Sequence, residues 1–406
     1  PYWYRFTALG QQSAIGRART APRPNERLDA LKFVYASCAH WEQGYFSAYR
    51  HMADEEPDLA LFLGDYIYEY SIAARRPAEV VRPYNLEEAT TLAGYRNRYA
   101  LHRTDADLQL LHATAPCLAT WDDHEVHDDY SGWWSKDRSV APSSFLQRRA
   151  AAYRAFYEHM PLRRAQLGRG ADMLLHRRVE FGRLASFSVL DGRQYRSRQP
   201  CDTPESGGKG QIAPASCAEL ADPSRTLLGF AQERWLYDGL ARARAQWNVL
   251  AQNLVVAPLR TRLPPSGEAA YWTDIWDGYQ SARDRLLEAI ELTGPSNPVV
   301  LSGDYHSFWA NELKRQSDGA SVATEFVGTS VTSNGPPHDG IVSIMPENPH
   351  IRYFEGRRRG YVSAELNRER MLTRFQAISD RRDPNASVQT LQAFAVESGR
   401  GAIETA

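Results

Sequence analysis

The residues best suited to chemistry lie where apolar runs stop. Leu59-Ala60-Leu61-Phe62-Leu63 drives straight into Gly64-Asp65-Tyr66-Ile67-Tyr68-Glu69-Tyr70. A short continuous apolar run bounded by glycine reads as a buried strand. The residues just past such a strand sit at its carboxyl end, where open α/β sheets place their ligands. A carboxylate and a phenol there are poor core material and good hard-metal ligands. Val299-Val300-Leu301-Ser302 repeats the pattern and runs into Gly303-Asp304-Tyr305-His306. Lys32-Phe33-Val34-Tyr35-Ala36-Ser37-Cys38 is a third apolar strand, ending on a thiol. A fourth, Cys117-Leu118-Ala119-Thr120-Trp121, ends in Asp122-Asp123-His124-Glu125-Val126-His127-Asp128-Asp129, seven acid or imidazole side chains within eight residues. The whole chain carries a net charge of only −1, so this concentration is local. Left unpaired it would repel itself strongly, and bound cations are the usual remedy. An acidic run is otherwise a solvated loop, but this one comes directly after a buried strand. The pattern points to one metal centre assembled from several strand ends.

Four further segments complete the series: Leu190-Asp191-Gly192-Arg193-Gln194-Tyr195-Arg196, Trp247-Asn248-Val249-Leu250-Ala251-Gln252, Trp276-Asp277-Gly278-Tyr279 and Glu325-Phe326-Val327-Gly328-Thr329-Ser330. Together with the strand ends around Cys38, Asp65, Asp123 and Asp304 they give eight ordered blocks over residues 36–330. In that order they resemble the PhoD-like alkaline phosphatase and phosphodiesterase family of the calcineurin-like metallophosphoesterases. The resemblance implies an α/β fold, a four-layer αββα sandwich, and hydrolysis of phosphate esters at a centre holding one ferric ion, Fe(3+), and calcium, Ca(2+). Phosphate esters react slowly because negative oxygens shield the phosphorus and water is a poor nucleophile; paired cations answer both problems. A carboxylate bridges two cations best, and the resemblance puts Asp65 in that role. Tyr68, Cys38 and His306 then belong to the ferric ion, which holds phenolate and thiolate deprotonated. Asp123 and Asp304 offer the oxygens that calcium prefers. The ordinary alternatives are a packed tyrosine for Tyr68 and an inert buried thiol for Cys38.

Asp123 stands where the wider superfamily places an asparagine in its Gly-Asn-His-Asp/Glu motif. His124 matches the histidine of that motif, which sits beside the leaving group; hydrogen bonding within the loop is its plainer role. Glu125, His127, Asp128 and Asp129 stay open between supporting groups and a further calcium site, because His127-Asp128-Asp129 replaces the Glu-Asn-Asn frequent in relatives. Arg193, just past a strand end, is placed to grip phosphate bidentately, with Arg196 as the fallback. Either arginine has Asp191 as an alternative partner. Asn253 occupies a point where most calcineurin-like enzymes use a metal-binding histidine, which favours an unusual metal set.

Strands are expected at 31–38, 58–64, 116–121, 174–180, 183–190, 246–254, 298–303, 322–328 and 361–366. Helices are expected at 44–55, 86–101, 105–114, 143–160, 229–243 and 275–292. Alternating strands and helices call for α/β layers, and residues 333–341 read as a loop near the site. With 406 residues, 43% hydrophobic, the chain can bury a large core. Residues 31–406 are expected to form the catalytic domain. Residues 1–30 look like a last strand and connector, which in the family would close a small N-terminal β-sandwich, here mostly missing. The chain ends shortly after the last expected strand, so no long C-terminal lid is expected.

Cys201 and Cys217 flank a loop rich in Gly, Pro and Ser (203–216), and a bridge there would contribute roughly 3 kcal/mol. Such a disulfide fits export, secreted or periplasmic. Cys117 reads as a core thiol. No signal peptide and no run of 18 apolar residues is present, so the chain reads as a soluble mature form. Near-zero net charge argues against a nucleic-acid or membrane-surface partner; the partner expected is a small-molecule phosphate ester, bound by a monomer. Two other readings remain. One is a phosphodiesterase with phospholipase D-like activity, since the same centre serves both. The other is a calcium-binding structural or phosphate-scavenging protein without turnover, which would be expected to lose Tyr68, Cys38 and His306.

Overall fold

The computed structural model describes residues 1–202, 210–316 and 319–406. Its centre is a pair of seven-stranded sheets. In chain order the sandwich strands are β1 Ala30–Ala36, β2 Leu59–Leu63, β3 Cys117–Thr120, β4 Arg177–Phe181, β5 Ala185–Val189, β6 Trp247–Ala251 and β7 Pro298–Ser302. They continue with β8 Phe308–Lys314, β9 Ser321–Val327, β10 Ile351–Glu355, β11 Gly360–Asn367, β12 Arg370–Ile378, β13 Val388–Glu397 and β14 Glu404–Thr405. One sheet has the order β14-β13-β12-β11-β1-β2-β3, the other β10-β8-β9-β7-β6-β5-β4. Strands β1, β2 and β3 are mutually parallel, as are β5, β6, β7 and β9.

Period-two alternation sorts the side chains into layers. Phe33 and Tyr35 of β1, Leu59, Leu61 and Leu63 of β2, and Val299 and Leu301 of β7 meet between the sheets. Their neighbours Val34, Ala36, Ala60 and Phe62 point the other way, under the helices α1 Ser47–Asp54, α2 Leu92–His102, α3 Ala106–Thr114 and α4 Pro142–His159. On the second sheet Leu250 and Val300 pack outward beneath α5 Phe230–Ala241 and α6 Gln280–Thr293. Strands buried on both faces read as unbroken apolar runs. The architecture is therefore helix, sheet, sheet, helix, the four layers expected.

Several local expectations need correction. The helix expected at 86–101 starts at Leu92, because the buried Arg98 guanidinium donates to the carbonyls of Glu69, Leu86 and Glu87 and withdraws them from helical pairing. Thr91 then caps the helix through Gly94 N–H at 3.1 Å. The helix expected at 275–292 opens instead with a 3₁₀ turn at Trp276–Tyr279, where Asp277 accepts from Leu259 N–H at 2.8 Å and pairs with Arg283. Strands β8, β10, β12, β13 and β14 lie outside the expected set, and β11 is not the last strand. Strand β12 buries alternate residues, Met371, Thr373, Phe375 and Ala377, up to its last residue Ile378, which is also buried, so its apolar signal is weaker than that of a central strand. The expected loop 333–341 passes into a short helix, α7 His338–Ile344.

Cys201 and Cys217 are bridged, with Cα atoms 5.9 Å apart. Of the loop between them, residues 203–209 lie outside the described residues. Cys38 and Cys117 are free, and Cys38 is buried. Among the described residues no helix is long and apolar enough to cross a membrane.

Candidate functional site

The carboxyl ends of β1, β2, β3 and β7 converge on one point between the sheets. An isolated parallel bridge, Ser37 to Ser330, ties the two sheets together at that edge. Cys38 (φ +60°), Asp65 (+52°), Asp304 (+62°) and His306 (+53°) all adopt the left-handed backbone region. Non-glycine residues rarely do so, and such strain gathers at functional sites. Gly64 is required in front of Asp65: its φ is +94°, and an added Cβ would lie 2.5 Å from Asp122 Cβ.

Two groups of ligand atoms form there. Cys38, Asp65 and His306 each present one atom within 4.8 Å of the others. The Tyr68 hydroxyl joins this group, donating to Asp65 Oδ2 at 2.9 Å and lying 3.3 Å from His306 Nε2. His306 Nδ1 donates to the Asn334 carbonyl at 2.5 Å, which leaves Nε2 unprotonated and aimed at the group. The second group contains Asp122, Asp123 and Asp304. Asp65 also sits with Asp123 and His124, so it is the carboxylate that joins the two groups.

The electrostatics fit a place for cations. Burial, then the carboxylates of Asp65 and Asp304, hold the Cys38 thiol well above its ordinary value. Burial likewise raises Tyr68, helped by Asp65 and Cys38. Asp65 and Asp304 are both pushed well up, by burial first and neighbouring aspartates next. Burial and Arg359 lower His306 to about 3, so its ring stays neutral. Acids held above their ordinary values beside a neutral imidazole make a site where cations can take the place of protons. Two buried oxygens, Asp122 Oδ2 and Asn253 Oδ1, have no hydrogen-bond partner among the described residues. An orphaned buried acceptor is costly, and both belong to the oxygen-rich side, since Asn253 Nδ2 donates to Asp122 Oδ1 at 2.6 Å.

A family model described as PhoD-like phosphatase matches residues 33–375. The chain belongs to the PhoD-like phosphatase family. It is 40% identical over 405 residues to alkaline phosphatase D of Bacillus subtilis (strain 168), covering 97% of this chain and 67% of that protein. A solved structure described as the structure of PhoD superposes with a TM-score of 0.91 at 39% identity, covering 100% of this chain and 76% of that one.

The other expected residues of this PhoD-like site surround the two groups. His124 Nδ1 meets Glu69 Oε2 at 2.8 Å, and Nε2 lies 3.8 Å from Asp123 Oδ2. Burial opposes its charge, but Asp123, Glu69 and Asp65 outweigh burial and raise it well above the ordinary value. Glu125 is a strut: it accepts from the backbone N–H groups of Asp65, Tyr66 and Asp122 at 3.0, 2.6 and 2.7 Å. Asp128 and Asp129 flank Lys136, whose ammonium lies 3.4 Å from Asp129 Oδ2. Arg193 is wholly buried. Its guanidinium pairs with Asp122, reaches Asp123 at 3.3 Å, and clasps Asp274 with both Nη atoms at 3.0 and 2.9 Å. Asp191 instead accepts from the Arg193 backbone N–H at 3.0 Å, so it is not the partner of that guanidinium. Arg196 also donates to Asp274, at 2.5 Å.

Asp274, Glu69, Ser333 and Asn334 were not among the expected site residues. Ser333 Oγ donates to the Tyr68 hydroxyl at 2.8 Å. The missed signal for Asp274 was its place two residues before the Trp276-Asp277-Gly278-Tyr279 block. Glu325, within another block, is a support: it accepts from Val256 and Ala257 N–H at 2.7 and 2.9 Å and fixes the turn after β6.

Proposed function

We propose that this phosphoric ester hydrolase cleaves phosphate monoesters at a mixed centre of ferric iron and calcium, releasing inorganic phosphate. The observation that carries the reading is the pair of ligand groups joined at Asp65, one with sulfur, nitrogen and phenol donors and one with oxygens alone. Cys38, Tyr68 and His306 suit the ferric ion; Asp123 and Asp304, with Asp122 and Asn253, suit calcium. Bound there, the cations supply charge neutralisation for the phosphate and acidify water. His124, whose Nδ1 is held by Glu69 Oε2 at 2.8 Å, is the proton donor to the leaving oxygen. Arg193 retains Asp274 as its anchor when cations take its other carboxylates, which frees donors for a phosphate oxygen. The substrate is a small-molecule ester. Residues 31–406 act as the catalytic domain, with 1–30 as a connecting segment. The Cys201–Cys217 bridge supports an exported protein, secreted or periplasmic.

A ferric ion bound by thiolate and phenolate absorbs in the visible. The purified holoenzyme is therefore expected to be coloured, to contain iron and calcium by plasma mass spectrometry, and to release phosphate from monoesters faster than it cleaves diesters. A colourless, fully active, zinc-only preparation would sink the ferric assignment.

Arg193→Ala separates two effects. Loss of one charge-assisted clamp costs roughly 2–4 kcal/mol of transition-state stabilisation, about 30- to 1000-fold in kcat/KM, with weaker inhibition by inorganic phosphate. In chelator-treated protein the same change strands buried carboxylates, and urea unfolding should show a loss of about 3–5 kcal/mol. An unchanged phosphate inhibition constant would make the residue purely structural.

A further inference from the structure

Beside His306 lies a second concavity, a cleft of about 640 Å³ walled by Arg76, Arg357, Arg358, Arg359 and Arg381 with Asn334. Two acids also face it, and both are engaged. Glu79 accepts from Gln43 Nε2 at 3.2 Å and from Asn334 Nδ2, and Asp380 accepts from Arg382 N–H at 2.8 Å. Arg357 pairs with Glu355 at 3.3 Å, and Arg76 lies 3.8 Å from Glu79. Arg358 is exposed, and no side-chain partner is seen for it among the described residues. Arg359 and Arg381 hydrogen-bond to neutral oxygens: Arg359 donates to the carbonyls of His306 and Gly356 and the hydroxyls of Thr329 and Ser330, Arg381 to the Thr332 carbonyl. Burial lowers Arg359 to about 10, and the neighbouring Arg381 adds to the shift. Gathering like charges costs free energy that an anion between them returns.

The cleft is one backbone thickness from the candidate metal ligands. Gly335 packs so closely that an added Cβ would lie 2.8 Å from the His306 carbonyl oxygen and closer still to Arg359 Nη2. Asn334 serves both sides at once, its carbonyl receiving His306 Nδ1 and its side-chain oxygen receiving Arg381. We propose that this arginine cleft is a subsite for a second phosphate on the leaving group, so that the substrates preferred are esters carrying two phosphates. The inference rests on the phosphatase reading above and deepens it.

The test compares fructose 1,6-bisphosphate with fructose 1-phosphate on the metal-loaded enzyme, in the wild type, Arg358→Glu and the Arg76→Glu/Arg358→Glu pair. Both side chains are exposed, so the fold is expected to survive, checked by circular dichroism. The wild type should favour the bisphosphate in kcat/KM. Arg358→Glu should cut that preference roughly tenfold, the worth of one charge-assisted phosphate contact, with fructose 1-phosphate turnover unchanged. A preference absent in the wild type, or unaltered in both variants, overturns the subsite. So does a rate on fructose 1-phosphate that pyrophosphate alters in the wild type and not in the variants, which would mark an effector site. If neither ester is turned over, the phosphatase reading fails. The cleft is then judged by calorimetric binding of fructose 1,6-bisphosphate, which must weaken in Arg358→Glu for the anion site to stand.

Discussion

Asp65→Asn is expected to strip both kinds of metal and lower kcat at least a thousandfold, about 4 kcal/mol in the barrier. The substitution is sterically clean. Asparagine tolerates the left-handed backbone of residue 65, φ +52°, as readily as aspartate. Its amide oxygen can still accept from the Tyr68 hydroxyl or the His124 N–H, the two donors that Asp65 serves. What it lacks is a negative charge to share between two cations. Without metal the sign reverses. Burial, with Asp123 and Asp122 adding to it, raises the Asp65 value well above normal. A carboxyl raised in the folded state binds its proton more tightly there than when unfolded, so above its unfolded value it costs stability, and the cost grows until pH passes the folded value. Chelator-treated Asp65→Asn should therefore unfold at higher urea than chelator-treated wild type at pH 8. Wild-type metal content and rate in the variant would place the bridge elsewhere.

Calcium removal should have the other large effect. EGTA is expected to abolish activity while most of the colour remains, since Cys38 and Tyr68 lie buried and, with the half-buried His306, hold their ion with softer donors than Asp123 and Asp304. Restoring Ca²⁺ should restore the rate, whereas Mg²⁺ should do so poorly because it demands a smaller octahedral shell. Metal content, absorbance and turnover are followed on the same sample. Full activity with no calcium left would show that Asp123 and Asp304 hold something else.

The candidate ligands were legible because each lies immediately after a buried strand, where a polar residue stands out against an apolar run. Cys38, Asp65, Tyr68, Asp123, Asp304 and His306 all announce themselves in this way, and the fold brings their side chains to one edge of the sandwich. Asp274 and Asn334 carry no such contrast. Asp274 follows a short aromatic stretch and Asn334 sits in a polar loop, and only the folded chain shows that one clasps Arg193 and the other sets the His306 tautomer. The antiparallel strands escaped for a related reason: β12 and the first half of β13 break their apolar residues up with Thr, Arg and Gln, which a run-based reading passes over.

Sequence alone thus determined the family, the layered α/β class and the parallel strands at the centre, because strands buried on both faces must be written as continuous apolar segments. It also determined which residue types stand at their ends. Tertiary structure alone decided how those residues are shared out. It gave Glu125 to three backbone N–H groups and His306 Nδ1 to the Asn334 carbonyl. It also turned Arg193 toward Asp274 in place of Asp191. Most of these partners lie tens to hundreds of residues apart in the chain. Their distances are set by how two sheets twist and close on one another, and no local pattern of residues encodes that.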